Sequence, residues 1–199
     1  MVLNMSDLAM IAKQSFPLCM VRYAERVKDN LRIGHTGWLQ YTGFLKDSGA
    51  TVEHVSRYWE RYYQAMGRCG AEIEKKKYDV RHVYGLEGQR KQLQPYSCRT
   101  IILSTQDVHG CPFRFSSVDE ISASMSELGL SSTEKSEILS IDYHNHCQLT
   151  CTRLFNIVHR CRDRERSVAR PIGYFIESRE YREKNFEEFL DWDEEMVLP

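Results

Sequence analysis

The chain is 199 residues long, 42% hydrophobic and 28% charged, with a formal net charge of −1. That is enough for one sizeable core or two small subdomains sharing one, and the near-neutral total gives no global electrostatic reason to bind a polyanion. No window reaches the roughly 18–20 unbroken apolar residues of a membrane helix, and the opening 1-MVLNMSDLAM lacks the basic and apolar regions of an export signal, so a soluble protein of the cytosol or nucleus without a membrane partner is expected.

Helical period dominates the chain. Leu18, Val21, Ala24 and Val27 follow Pro17 at helical spacing, and Val52, Val55, Trp59, Tyr62 and Met66 do the same after Thr51, with Gly67 as a stop. An irregular centre follows from Gly85 to Gln94. The short β-branched run 100-TIILS-104 is the best strand candidate. Ser117 with Glu120 and Ser131 with Glu134 are capping boxes that start two further helices, the first ended by Gly129. Cys147, Cys151, Leu154 and Val158 mark another helix. Beyond Ser178 an acidic segment carries Phe186, Phe189, Leu190 and Trp192 and reads as an amphipathic helix or a frayed end.

Charge is unevenly placed behind the neutral total. From His54 to Thr100 ten Lys and Arg face five Asp and Glu, whereas Glu177 to Glu195 holds nine acidic residues against three basic ones. The seven cysteines are Cys19, Cys69, Cys98, Cys111, Cys147, Cys151 and Cys161. An odd number without an export signal argues against a disulfide framework, and no pair has the C-x2-C spacing of a zinc ribbon. Each thiol by itself reads as a small buried hydrophobe or a metal ligand. Cys19, Cys98 and Cys111 stand in turn settings, and 144-HNHC-147 with Cys151 is a candidate zinc-binding segment. No cluster of carboxylates for catalytic magnesium, no Gly-rich phosphate loop and no nucleophile motif is found.

The blocks 16-FPLCM-20, 38-WLQYTGFLKDSG-49, 78-YDVRHVYGLEGQR-90, 95-PYSC-98, 109-HGCPFR-114 and Cys151 before Leu154-Phe155 resemble, in order and spacing, the iron-sulfur C-terminal domain of the eukaryotic and archaeal DNA primase large subunit. The resemblance runs from about Phe16 to Arg179. It implies a [4Fe-4S] cluster held by Cys19, Cys98, Cys111 and Cys151, with Cys69, Cys147 and Cys161 left as structural residues. The implied fold is mainly α, with two helical subdomains and a minor β element joined around the metal cluster. The domain would cover 1–179, with halves of about 1–90 and 91–179, and 180–199 would be an acidic tail.

By the same resemblance the chain is a substrate-holding module that is itself non-catalytic, nucleotidyl transfer residing in the small catalytic subunit of primase. It would bind the junction of an RNA primer bearing a 5′-triphosphate with the single-stranded DNA template during primer synthesis. Further implied partners are the small subunit and the DNA polymerase alpha complex, and the implied location is nuclear. Positions matching the family's contacts are Arg32, His35, Tyr41 and Lys46, then Tyr78, Arg81 and His82, with lysine and arginine on phosphates and tyrosine stacked on an unpaired base. Tyr41 and Tyr78 are equally readable as core aromatics. The chain departs from the family at Gly34 and Trp38, where eukaryotic members carry arginines, and at Lys76, where they carry a tyrosine. Arg32 is then the compensating cation and Trp38 a candidate for base stacking. The alternatives are a zinc-stabilised protein-interaction domain built on His144 to Cys151, and a primase-like paralogue with altered nucleic-acid binding.

Overall fold

Starts and stops written in the sequence divide the chain into helices. A computed structural model describes the backbone of residues 3–104, 110–161 and 167–195, and the side chains of those residues as far as 184. After a 3-10 turn at Met5–Asp7 come α1 (Leu8–Ser15), α2 (Leu18–Lys28), α3 (His35–Asp47), α4 (Val52–Ala65) and α5 (Ala71–Val83). Then follow α6 (Cys98–Ile102), α7 (Pro112–Phe115), α8 (Val118–Glu127), α9 (Ser132–Leu139), α10 (Cys147–Val158) and α11 (Pro171–Glu195). The Thr51 hydroxyl accepts from the His54 amide at 3.3 Å to start α4, and both expected capping boxes are closed, at Ser117–Glu120 and Ser131–Glu134. Each cap is worth about 1 kcal/mol. Past the end of α8, Gly129 takes a left-handed φ of 83°, which a residue with a Cβ adopts only under strain.

The strand expected at 100-TIILS-104 is instead the short helix α6. The Ser97 hydroxyl accepts from the Thr100 amide and nucleates a turn, Ile101 is buried in the core, and no second strand exists among the described residues to satisfy an extended backbone. The mainly α expectation agrees with the described helices, and the minor β element is absent from them. The irregular centre is confirmed, since residues 86–97 form no helix or strand. The acidic end continues α11 to Glu195, with residues 196–199 outside the described residues.

Two cores meet along α2. The first is aromatic, with Tyr23, Trp38, Tyr41, Phe44, Trp59 and Tyr62 packed together. Phe16 sits edge-on to Phe44 at 4.7 Å and to Phe175 of α11 at 5.4 Å. The second gathers Phe113, Ile121, Met125, Ile138, Tyr143 and Leu154 from α7 to α10. Full burial of side chains such as Ile121 and Met125 stabilises by about 1.5–3 kcal/mol each. Helix α2 serves both cores, because Leu18 turns into the second while Met20, Tyr23 and Val27 turn into the first. Arg22 adds a hydrogen bond to the Ser116 hydroxyl beyond α7. The start of α2 therefore lies on the seam.

Candidate functional site

Five cysteines line one narrow cleft at that seam. Cys19 is the second residue of α2, Cys98 the first of α6 and Cys111 the residue capping α7, while Cys147 and Cys151 lie one turn apart in α10. Pro17, Ile101, Ile102, Phe113 and Pro171 complete the walls. Local sequence explains the placement. Pro17 and Pro112 have φ held near −65° by the ring, so each opens a helix at a set residue and orients the neighbouring sulfur. Behind Cys111 the backbone passes so close to Phe115 that a Cβ on Gly110 would lie 2.2 Å from the ring. The far wall is the segment before α11. There the Cys98 amide donates to the Ala169 carbonyl at 3.0 Å, Gln148 Nε2 to the Val168 carbonyl at 2.9 Å, and the Val168 amide to Thr152 Oγ1 at 3.0 Å.

The walls are apolar, and that governs the thiols. Burial pushes the Cys19 thiol well up, with Cys98 and Cys151 adding to the effect, and burial raises Cys98 to about 12. The Cys111 thiol is raised by the hydrogen bond it donates to the Cys147 sulfur and then by burial. These three are accordingly protonated at neutral pH, and a bound cation would reverse the balance, because a metal holds its thiol ligands as thiolates. Among the described residues no three His, Cys, Asp or Glu side chains stand close enough to hold one metal ion. Thiols spread around a cleft suit a multi-iron cluster instead, where each sulfur takes a separate iron and the ligands stand farther apart than on a single ion.

The zinc segment is not brought together among the described residues. His144 faces outward with Nδ1 on the Arg114 carbonyl at 3.2 Å and its ring against Tyr143, His146 is exposed, and Cys147 turns the other way into the cleft. Cys69 is exposed far from the cleft in sequence, and Cys161 contacts Asn156 Oδ1 at 3.5 Å. His109 lies outside the described residues.

The residues expected to touch nucleic acid divide into surface and core. Arg32 and His35 are exposed at the start of α3, and Tyr78 (49% exposed), Arg81 and His82 lie on the surface of α5. Tyr41 is fully buried at 0% exposure, stacked on Tyr23 and edge-on to Trp59, so it supports the wall and offers no face to a base. Lys46 keeps only 7% of its side chain exposed and pairs with Asp47 at 2.8 Å. Trp38 is also buried, at 2%, which overturns its expected role as a base-stacking surface. Its neighbours account for this: His35 stacks on it, Trp59 packs beside it, and the Lys76 ammonium of α5 sits 4.9 Å above its ring.

The exposed residues also fall on two faces. At about 100° per residue, Lys76, which touches α3, stands roughly 200° around α5 from Tyr78 and 140° from Arg81. Tyr78 and Arg81 instead line a groove of about 930 Å³ against Val52, Glu53 and Ser56 of α4. Its cations are partly neutralised. Lys77 pairs with Glu60 and Glu74 at 2.9 and 3.0 Å, and Arg81 with Glu87 at 2.5 Å. His82 is held under the loop after α5, where a Cβ on Gly88 would come within 2.8 Å of its Nε2. Lys76, whose partner Trp38 is distant in sequence, escapes single-sequence reading as a site residue, whereas Cys147, read there as part of a zinc segment, lines the cleft beside Cys151, as their four-residue spacing allows.

The fold and site define a helical domain with a cysteine-lined cleft on the seam of two cores. Residues 9–175 match the family formed by the C-terminal domain of the large subunit of eukaryotic and archaeal DNA primase, and the chain belongs to that family. It is 33% identical over 183 residues to a probable DNA primase large subunit of Arabidopsis thaliana, covering 88% of this chain and 39% of that one. It is 31% identical over 182 residues to the DNA primase large subunit of Mus musculus, covering 88% and 36%. For the DNA primase large subunit of Schizosaccharomyces pombe the identity is 33% over 167 residues, covering 80% and 36%. The chain thus spans less than two fifths of the length of these relatives.

Proposed function

We propose that this chain is the part of a DNA primase large subunit that grips the primer–template junction, and that Cys19, Cys98, Cys111 and Cys151 hold a [4Fe-4S] cluster in it. One observation carries the reading: the four cysteines that the resemblance picks out, spread over 132 positions, line one apolar cleft. Thiolates are soft anionic ligands suited to iron bridged by sulfide, and the cluster would supply a cross-link between the helix starts of both cores.

Phosphate binding falls to Arg32, His35 and Arg81, joined by Arg90, which lines the same groove as Arg81, and base stacking to Tyr78, the one expected tyrosine that is half exposed. Arg81 engages a phosphate by exchanging its carboxylate partner Glu87 for it. Nucleotidyl transfer belongs in this reading to the small catalytic subunit, in a nuclear complex with DNA polymerase alpha, and this chain contributes position rather than chemistry.

The first test is iron, acid-labile sulfide and zinc per chain in anaerobically purified protein, with Cys19→Ala as control. About four iron and four sulfide, lost in the control, support the reading. Zinc without sulfide overturns it. Binding is tested by titrating a 5′-triphosphate junction against blunt duplex at fixed salt. Contact with three or four phosphates of single strand gives a slope of log affinity on log salt of roughly −2 to −3, and equal affinity for both substrates refutes junction recognition.

A further inference from the structure

The family pattern names four ligands, yet the cleft holds five thiols. Cys147 opens α10 at only 3% exposure. Its sulfur receives the hydrogen bond of the Cys111 thiol, and its own S–H is directed to the His144 carbonyl at 3.5 Å. One helical turn separates it from Cys151, so both sulfurs project from the same face of α10 into the cleft. Cys19, by contrast, has Cys98, Cys111 and Cys151 as its electrostatic neighbours and no additional thiol beside it. The arrangement is asymmetric: Cys147 acts on both Cys98 and Cys111 but shares its hydrogen bond with Cys111, so the doubling is on the Cys111 side of the cleft.

We propose that Cys147 is a reserve ligand of the metal centre, able to take over the iron position of Cys111. The proposal rests on the cluster reading above. Geometry supports it in three ways. The two sulfurs share a hydrogen bond on one side of the cleft, so a rotation of the Cys147 side chain carries its sulfur toward the iron position that Cys111 would leave. The exchange needs only side-chain rotation at the first residue of α10, where His146 supplies no side-chain cap that would have to break. Finally, Cys111 caps α7 without a side-chain hydrogen bond, so losing its sulfur leaves the turn of Pro112 intact.

The test is iron and sulfide per chain in four variants purified side by side without oxygen, with helix content measured to show that each is folded. Cys147→Ala alone is expected to match the unaltered chain. Cys111→Ala is expected to keep more than half of its iron and sulfide, with an altered electron paramagnetic resonance signal after reduction, because the fourth sulfur now comes from α10. The double variant Cys111→Ala/Cys147→Ala and the variant Cys19→Ala are expected to lose the cluster. If Cys111→Ala is as empty as the double variant, the reserve role is wrong while the cluster reading stands. Cys111→Ser, compared with Cys111→Ser/Cys147→Ala so that ligation by the serine oxygen is accounted for, repeats the comparison should the alanine variant misfold. If the unaltered chain itself lacks iron and sulfide, both readings fall together.

Discussion

Lowering the pH should destabilise this domain through one buried imidazole. His159 ends α10 at 6% exposure, with its ring 4.3 Å from Phe155, 5.8 Å from Tyr181 and 6.4 Å from Tyr174. Its Nε2 finds no hydrogen-bond partner. Burial first, and the nearby Arg182 guanidinium second, together lower its pKa to about 4. The native pKa lies below the ordinary value near 6.5, so the unfolded chain binds the proton more readily. Stability from this group is complete above about pH 6.5 and is lost as pH falls through that value toward 4. Between pH 7 and pH 5 the unfolded histidine takes up most of a proton and the native one about a tenth. The upper limit of the loss is roughly 2 kcal/mol, reduced to about 1 kcal/mol because the ring is not wholly desolvated. Urea unfolding at both pH values measures it. With a slope of about 2 kcal/mol/M for a domain of this size, the midpoint of the unaltered protein should fall by about 0.5 M more than that of His159→Gln. Equal falls in the two proteins would show that His159 carries no such linkage. Using the difference between proteins removes the contribution of every other titrating group.

Three further outcomes follow from the surface and core assignments. Tyr41→Phe should leave junction affinity within about twofold, since the ring is buried, whereas Tyr78→Ala should weaken it at least about fivefold through loss of base stacking; a larger effect at Tyr41 in a fluorescence titration would contradict the division into wall and surface. Glu87→Gln should tighten junction binding severalfold at low salt by releasing Arg81, and Arg81→Ala should flatten the salt slope by about 0.7. Gly88→Ala should lower stability by roughly 1–2 kcal/mol in chemical denaturation, because a φ of 58° is strained for alanine and its Cβ would press on His82.

Reading the sequence worked best where structure is local. Thr51, Ser117 and Ser131 each accept from the amide three residues ahead, so the starts of α4, α8 and α9 were legible as letter patterns. It failed at 100-TIILS-104, where β-branched residues suggested extension but Ser97 supplied a cap and the core accepted Ile101 from a helix. Trp38 and Lys46 misled for a related reason, which also decided Tyr41, left open by the sequence, as core. A helix as fully packed as α3 buries residues all round, and nothing in their own identities says which neighbours will cover them.

The sequence by itself determined the helical class, several helix starts and, through six short blocks, membership of the family, because all of these depend on nearest neighbours or on residue identity. Only the tertiary structure decided that α2 would lie on the seam of two cores, that a fifth thiol would stand beside Cys111, and that Lys76 would cover Trp38. Those pairings join residues 36 or more positions apart, and their energy appears only when loops have closed and apolar surface has left water.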